Sequence, residues 1–135
     1  MCIWEVLMYM SLGNCPNKDG IHISHSRNIQ IEHNIIRTGD DCIAIISATM
    51  ESALRAYQDP ITGIHIKNCT FTNSVNGLQI KSWVNNPNYP ALAADISFQD
   101  VVMHNIGNLI FLNQHYCPSQ GCDPKVCRRL YTKIC

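Results

Sequence analysis

What this chain of 135 residues has little of narrows it first. It has no excess of either charge: ten basic and ten acidic residues cancel, so nothing calls for nucleic acid or an anionic membrane surface as partner. It has no apolar run near the roughly 18 residues of a membrane span. It has almost no helical periodicity. The one candidate is Ser47 to Tyr57, with Met50, Leu54 and Tyr57 on one face, and this argues against an α/β fold. Residues 1 to 13 are apolar but carry no basic flank and are interrupted by Glu5, which makes a poor signal peptide. The eight cysteines lack the two-residue knuckle of structural zinc: Cys117, Cys122 and Cys127 are each separated by four residues.

What is present is cysteine and a repeat. Eight cysteines favour an oxidising compartment, in tension with the poor match of residues 1 to 13 to a signal peptide. Short alternating runs dominate: Ile21-His22-Ile23, Ile29-Gln30-Ile31, Ile43-Ala44-Ile45, Ile64-His65-Ile66, Leu78-Gln79-Ile80, Ile96-Ser97-Phe98 and Ile110-Phe111-Leu112. Each has the period of a strand with one buried face. The spacings Ile29 to Ile43, Ile64 to Leu78 and Ile96 to Ile110 are all 14 residues. Within the units His33, Asn68 and Asp100 are equivalent, as are Ile36, Phe71 and Met103. Asp41, Asn76 and Asn108 are also equivalent, with Asp19 at that place in an earlier partial unit.

Units of short strands without helices bury their apolar faces only by stacking. The sequence therefore predicts an all-β parallel β-helix of three to four coils, with equivalent residues in ladders about 4.8 Å apart. A β-sandwich would also have short strands but would not explain the repeated offset. Residues 1–15 are expected as an atypical N-terminal segment or cap, 16–116 as the coils and 117–135 as a Cys-rich tail.

The ladder places Asp19 and Asp41 together with Asp40 beside them. Like charges this close raise one another's pKa, so one acid can stay protonated to donate a proton while another holds a water. Taken alone, Asp-Asp and Asn-x-Asp are ordinary turn residues. The combination is more specific. Asn17-Lys18-Asp19-Gly20-Ile21-His22, Gly39-Asp40-Asp41-Cys42, Asn76-Gly77-Leu78-Gln79-Ile80-Lys81-Ser82-Trp83 and Asn113-Gln114-His115-Tyr116-Cys117, in that order, resemble the polygalacturonases of glycoside hydrolase family 28, particularly the plant type. The resemblance runs from about Pro16 to Cys122.

That resemblance implies a right-handed parallel β-helix that hydrolyses α-1,4-galacturonosyl linkages of pectin and polygalacturonate with inversion. It implies no metal and no cofactor, in a monomer secreted to the cell wall. Asp40 matches the general acid, and Asp19 and Asp41 the pair that activates water. Lys81 matches a lysine that binds a substrate carboxylate, Gln79 stands at a carboxylate-binding arginine, and Tyr116 matches a tyrosine of the cleft. Cys117 and Cys122 match a disulfide of the plant enzymes. Asn68-Cys69-Thr70 is a glycosylation sequon, used if the chain is exported. A pectate lyase would instead need calcium and a different base.

Three departures accompany the match. Gln79 replaces the arginine, exchanging a bidentate cation for a neutral amide. Lys18 replaces a threonine and is expected to lower the pKa of a neighbouring acid. The Gly-His-Gly segment that follows the paired acids is missing, as if one coil were lost together with a cysteine partner for Cys42. That loss is expected to bring Lys81 nearer Asp41 by about one coil spacing and to leave Cys42 as a free thiol or mispaired. Several N-terminal coils and later C-terminal sequence of the family are expected to be absent as well. A truncated, catalytically dead pectin-binding or structural β-helix is the alternative reading.

Overall fold

A computed structural model describes residues 2–4, 9–10, 18–47, 60–83 and 92–116. The described elements are β1 (Cys2–Trp4), β2 (Tyr9–Met10), β3 (Ile21–Ser24), β4 (Arg27–Glu32), β5 (Ile35–Arg37), β6 (Asp41–Ile46), β7 (Ile61–Lys67), β8 (Thr70–Trp83), β9 (Ala93–Gln99) and β10 (Val102–Tyr116). There is no helix among the described residues, and so none long and apolar enough to cross a membrane. The helical candidate lies, beyond Ser47, outside the described residues, as do residues 117–135.

Every strand pairing is parallel and joins one coil to the next. One face is the sheet β1-β4-β7-β9. A second face stacks β2 and β5 on the first part of β8. A third stacks β3 and β6 on its later part. β10 pairs along nearly the whole of β8 and so belongs to both of these faces.

The observed register is that of the repeat. Ile29 pairs with Ile64 and Ile64 with Ile96. Ile21, Ile43, Leu78 and Ile110 form a second rung series, and Ile36, Phe71 and Met103 a third. The inward members of these ladders are the core: Ile31, Ile36, Ile43, Ile64, Phe71, Leu78 and Ile80 are all fully buried. No coil could bury them alone, which is why the period in the sequence and the stack in space are one fact.

The turns also repeat. His33, Asn68 and Asp100, equivalent in sequence, all take positive φ at 57°, 52° and 53°. So do Asn28, Gly63 and Asp95, one residue before the first rung of each coil. Asn and Asp tolerate the left-handed region better than most residues, and a chain that must turn at the same place in every coil uses them there. The turn residues between the second and third faces do not interrupt β8 and β10, each of which continues through a left-handed Asn, Asn73 or Asn105, that bends the strand. Asn105 Nδ2 donates to Asn73 Oδ1 at 2.9 Å, so the bend is itself a rung.

Candidate active site

The three acids come from two adjacent coils. Asp19 lies two residues before β3, Asp41 opens β6, and Asp40 is the residue before it. The backbone locks these segments together: Gly20 N donates to Asp41 O at 2.8 Å, and Asn76 N donates to Asp40 O at 3.0 Å. Gly20 is required for the first contact. A Cβ there would sit 2.5 Å from the Cys42 carbonyl oxygen and 2.8 Å from Ile36 Cγ2. One carboxylate oxygen from each of Asp19, Asp40 and Asp41 lies within 4.8 Å of the others. The convergence expected from the ladder is present.

The three have different surroundings. Asp40 is exposed, Asp19 is 12% exposed and Asp41 is completely buried. Asp41 is tied down from several directions. Lys81 Nζ is 2.5 Å from Asp41 Oδ2. Asn76 Nδ2 donates to Asp41 Oδ1 at 2.7 Å. The Gln79 amide, oriented with its nitrogen toward the carboxylate, donates to Oδ1 at 2.8 Å and Oδ2 at 2.7 Å. Behind Asn76, Asn108 Nδ2 donates to Asn76 Oδ1 at 2.8 Å, extending the ladder one coil further.

Lys81 is held as firmly. It lies 3.6 Å from Asp19 Oδ2, and its ammonium sits 5.0 Å from the centre of the Tyr116 ring, a cation–π distance. Its side chain is 7% exposed. Burial alone would lower its pKa, but the hydrogen bond to Asp41, the charges of Asp41 and Asp19, and Tyr116 more than reverse that and hold it above the ordinary 10.5.

Asp40 shifts upward from the ordinary carboxyl value. Partial burial is the main cause, followed by the charges of Asp41 and Asp19, and together they outweigh Lys81 and Lys18. The expectation that Lys18 would lower a neighbouring acid therefore does not decide the outcome at Asp40. Lys18 is an exposed side chain, and two lowering cations are set against burial and two carboxylates.

Other expected residues lie apart from the cluster. Asn68 sits on a left-handed turn, with its amide nitrogen 3.4 Å from His33 Nε2 on the next coil. Cys42 is buried and unpaired, its thiol 3.0 Å from Ser74 Oγ, and Cys69 is likewise an unpaired buried thiol. Cys117 and Cys122 lie outside the described residues. Sequence reasoning named Asn76 and Asn108 as ladder positions but gave them no part in the site. Their place in the same rung series as Asp41 was the available signal.

The family model for glycosyl hydrolases family 28 matches residues 1–128. Among curated proteins, a polygalacturonase of Nicotiana tabacum is 32% identical over 128 residues, covering 82% of this chain and 32% of the relative. An exopolygalacturonase of Platanus acerifolia is 35% identical over 136 residues, covering 87% of this chain and 36% of the relative. Polygalacturonase QRT2 of Arabidopsis thaliana is 33% identical over 155 residues, covering 95% of this chain and 34% of the relative. The chain thus spans about a third of the length of these relatives. The last alignment is longer than the whole 135-residue chain, so that relative carries residues within the match that this chain lacks. No solved structure matches it significantly. The repeat, the parallel stack, the clustered acids and the family match converge on one conclusion: the chain belongs to glycosyl hydrolases family 28.

Proposed function

We propose that this chain is a pectin-directed glycoside hydrolase that cleaves α-1,4-galacturonosyl linkages by acid/base hydrolysis. The observation that carries the reading is Asp40, an exposed carboxyl with a raised pKa beside two other carboxylates. A group so placed reaches a leaving-group oxygen and still holds a proton to give it. Asp19, partly exposed, is the acid positioned to take a proton from water. Asp41, sealed by Lys81, Gln79 and Asn76, acts as the anchor that orders the cluster. Lys81 and Tyr116 form the wall next to Asp19. Export to the cell wall, action as a monomer, a Cys117–Cys122 disulfide and glycosylation at Asn68 belong to the same reading.

The closeness of the acids bears on stereochemistry. Inverting glycosidases usually separate their two carboxyl groups by about 6.5–9.5 Å to admit a water. Here the nearest oxygens lie within 4.8 Å, so an inverting reaction takes its water from beside the cluster. Inversion predicts that the first reducing ends released are β-anomers, which proton NMR reads directly.

The primary test is release of reducing ends from pectin by the purified chain, beside Asp40→Asn. Hydrolysis by this mechanism predicts release that falls by about a hundredfold or more in the variant. A second reading, pectin binding without turnover, is favoured by one observation: Asp41, which the resemblance makes one of the two water-activating acids, has both oxygens taken by Lys81, Gln79 and Asn76. No release from a sample folded by circular dichroism would select it.

A further inference from the structure

Asp41, Asn76 and Asn108 hold the same rung position in three successive coils. Their side chains form a row with a direction. Asn108 Nδ2 donates to Asn76 Oδ1 at 2.8 Å, and Asn76 Nδ2 donates to Asp41 Oδ1 at 2.7 Å. Asn76 is 6% exposed, whereas Asn108 is an exposed residue of β10. Two glycines beside the row let the coils approach there. A Cβ on Gly107 would sit 2.8 Å from Val75 O, and one on Gly77 would sit 2.8 Å from Leu109 O.

A primary amide can turn its nitrogen or its oxygen toward a neighbour, and only the nitrogen suits a carboxylate. Asn108 makes that choice for Asn76. Its donor takes Asn76 Oδ1 and leaves the Asn76 nitrogen for Asp41. The backbone of Asn76 also reaches a second acid, since Asn76 N donates to Asp40 O at 3.0 Å. We propose that Asn108 is a positioning residue for the acid cluster, acting through Asn76 on Asp41 from two coils away. The proposal deepens the hydrolytic reading above and rests on it for its effect on turnover.

The test is Asn108→Asp, which keeps the shape of the side chain and replaces its donor with an acceptor. The new carboxylate repels Asn76 Oδ1, and a half-turn of the Asn76 amide that relieves this sets its oxygen against Asp41. Asn105→Asp is the control. It adds the same charge to the same strand and removes the same kind of bond, from Asn105 Nδ2 at 2.9 Å, but that bond leads to Asn73 and not to Asn76. In Asn108→Asp kcat should fall about tenfold with KM within about twofold of native, and in Asn105→Asp both should stay within about twofold. NMR reads the row without turnover. The Asn76 side-chain amide and the Asp41 carboxyl carbon should both shift in Asn108→Asp and hold their native positions in Asn105→Asp. Unmoved resonances in folded Asn108→Asp overturn the proposal, and so does an equal effect in Asn105→Asp. Native kinetics of Asn108→Asp in an active chain also overturn it and leave the hydrolytic reading standing. A native chain that releases no reducing ends removes that reading, and the resonances then decide this one. If Asn108→Asp does not fold, the native chain decides. One side-chain amide proton of Asn108 should exchange with solvent at least about tenfold more slowly than in urea-unfolded chain. Equal rates overturn the proposal.

Discussion

Lys81 Nζ and Asp41 Oδ2 are 2.5 Å apart in a place that water barely reaches, with Lys81 7% and Asp41 0% exposed. The two residues belong to adjacent strands, β6 and β8. Their contact joins the cation of one motif to the acid of another.

That pair is expected to behave as a unit. Breaking a buried ion pair from one side leaves an uncompensated charge and costs about 3–5 kcal/mol, whereas replacing both partners with neutral groups of similar size costs far less. Lys81→Met alone should therefore lower the urea midpoint sharply. Lys81→Met combined with Asp41→Asn should recover much of that loss. Additive losses in the double variant would show that the two side chains do not act on each other.

The same lysine sets an alkaline limit. Its folded pKa is raised above the ordinary 10.5, so the folded state binds the proton more tightly than the unfolded chain does. The stability it contributes is fully present below about pH 10.5 and is lost as pH rises through the higher folded value. Thermal melts across that range should show a fall that Lys81→Met flattens. Asp40 has the corresponding sign for an acid: its pKa is raised, so its protonated form is favoured by folding. Relative to Asp40→Asn, the native chain should lose stability as pH climbs from below 3.8 through the raised value. Asp40 is exposed, so that change should be small.

Gly20→Ala probes the packing beneath the acids. The added methyl would meet Cys42 O at 2.5 Å and Ile36 Cγ2 at 2.8 Å, and neither can yield without moving a coil. A loss of about 1–3 kcal/mol is expected, measured by chemical denaturation. Because Gly20 N also holds Asp41 O, activity should fall further than stability alone explains.

The two unpaired thiols should be slow to react. Burial raises the pKa of both Cys42 and Cys69, and a buried neutral thiol is a poor nucleophile. Alkylation followed by peptide mass spectrometry should leave both unmodified in the native chain and label both after denaturation. Rapid native labelling of Cys42 would show that the β6–β8 face is open.

The repeat made most of the fold legible before any coordinates. Strands are local, their period is two, and a 14-residue offset that recurs three times leaves few arrangements other than stacked coils. The ladder equivalences followed from the same offset: His33, Asn68 and Asp100 share a left-handed turn because each coil turns there. The continuity of β8 and β10 was not legible, because Asn is a common turn residue that can also bend a strand without ending it, as Asn73 and Asn105 do.

At the site, the sequence by itself determined which residues meet. Asp19, Asp40 and Asp41 are brought together by their places in the repeat, and the family match follows from the motifs around them. Only the tertiary structure decided what they do to one another. Lys81 could reach outward to a sugar or inward to Asp41, and a lysine written in a motif does not say which. The inward contact wins because a fully buried carboxylate must be neutralised and hydrogen-bonded, and Lys81, Gln79 and Asn76 are the donors within reach. The same requirement leaves Asp40 as the exposed member of the three, and that division among three identical side chains depends on burial, which no sequence pattern states.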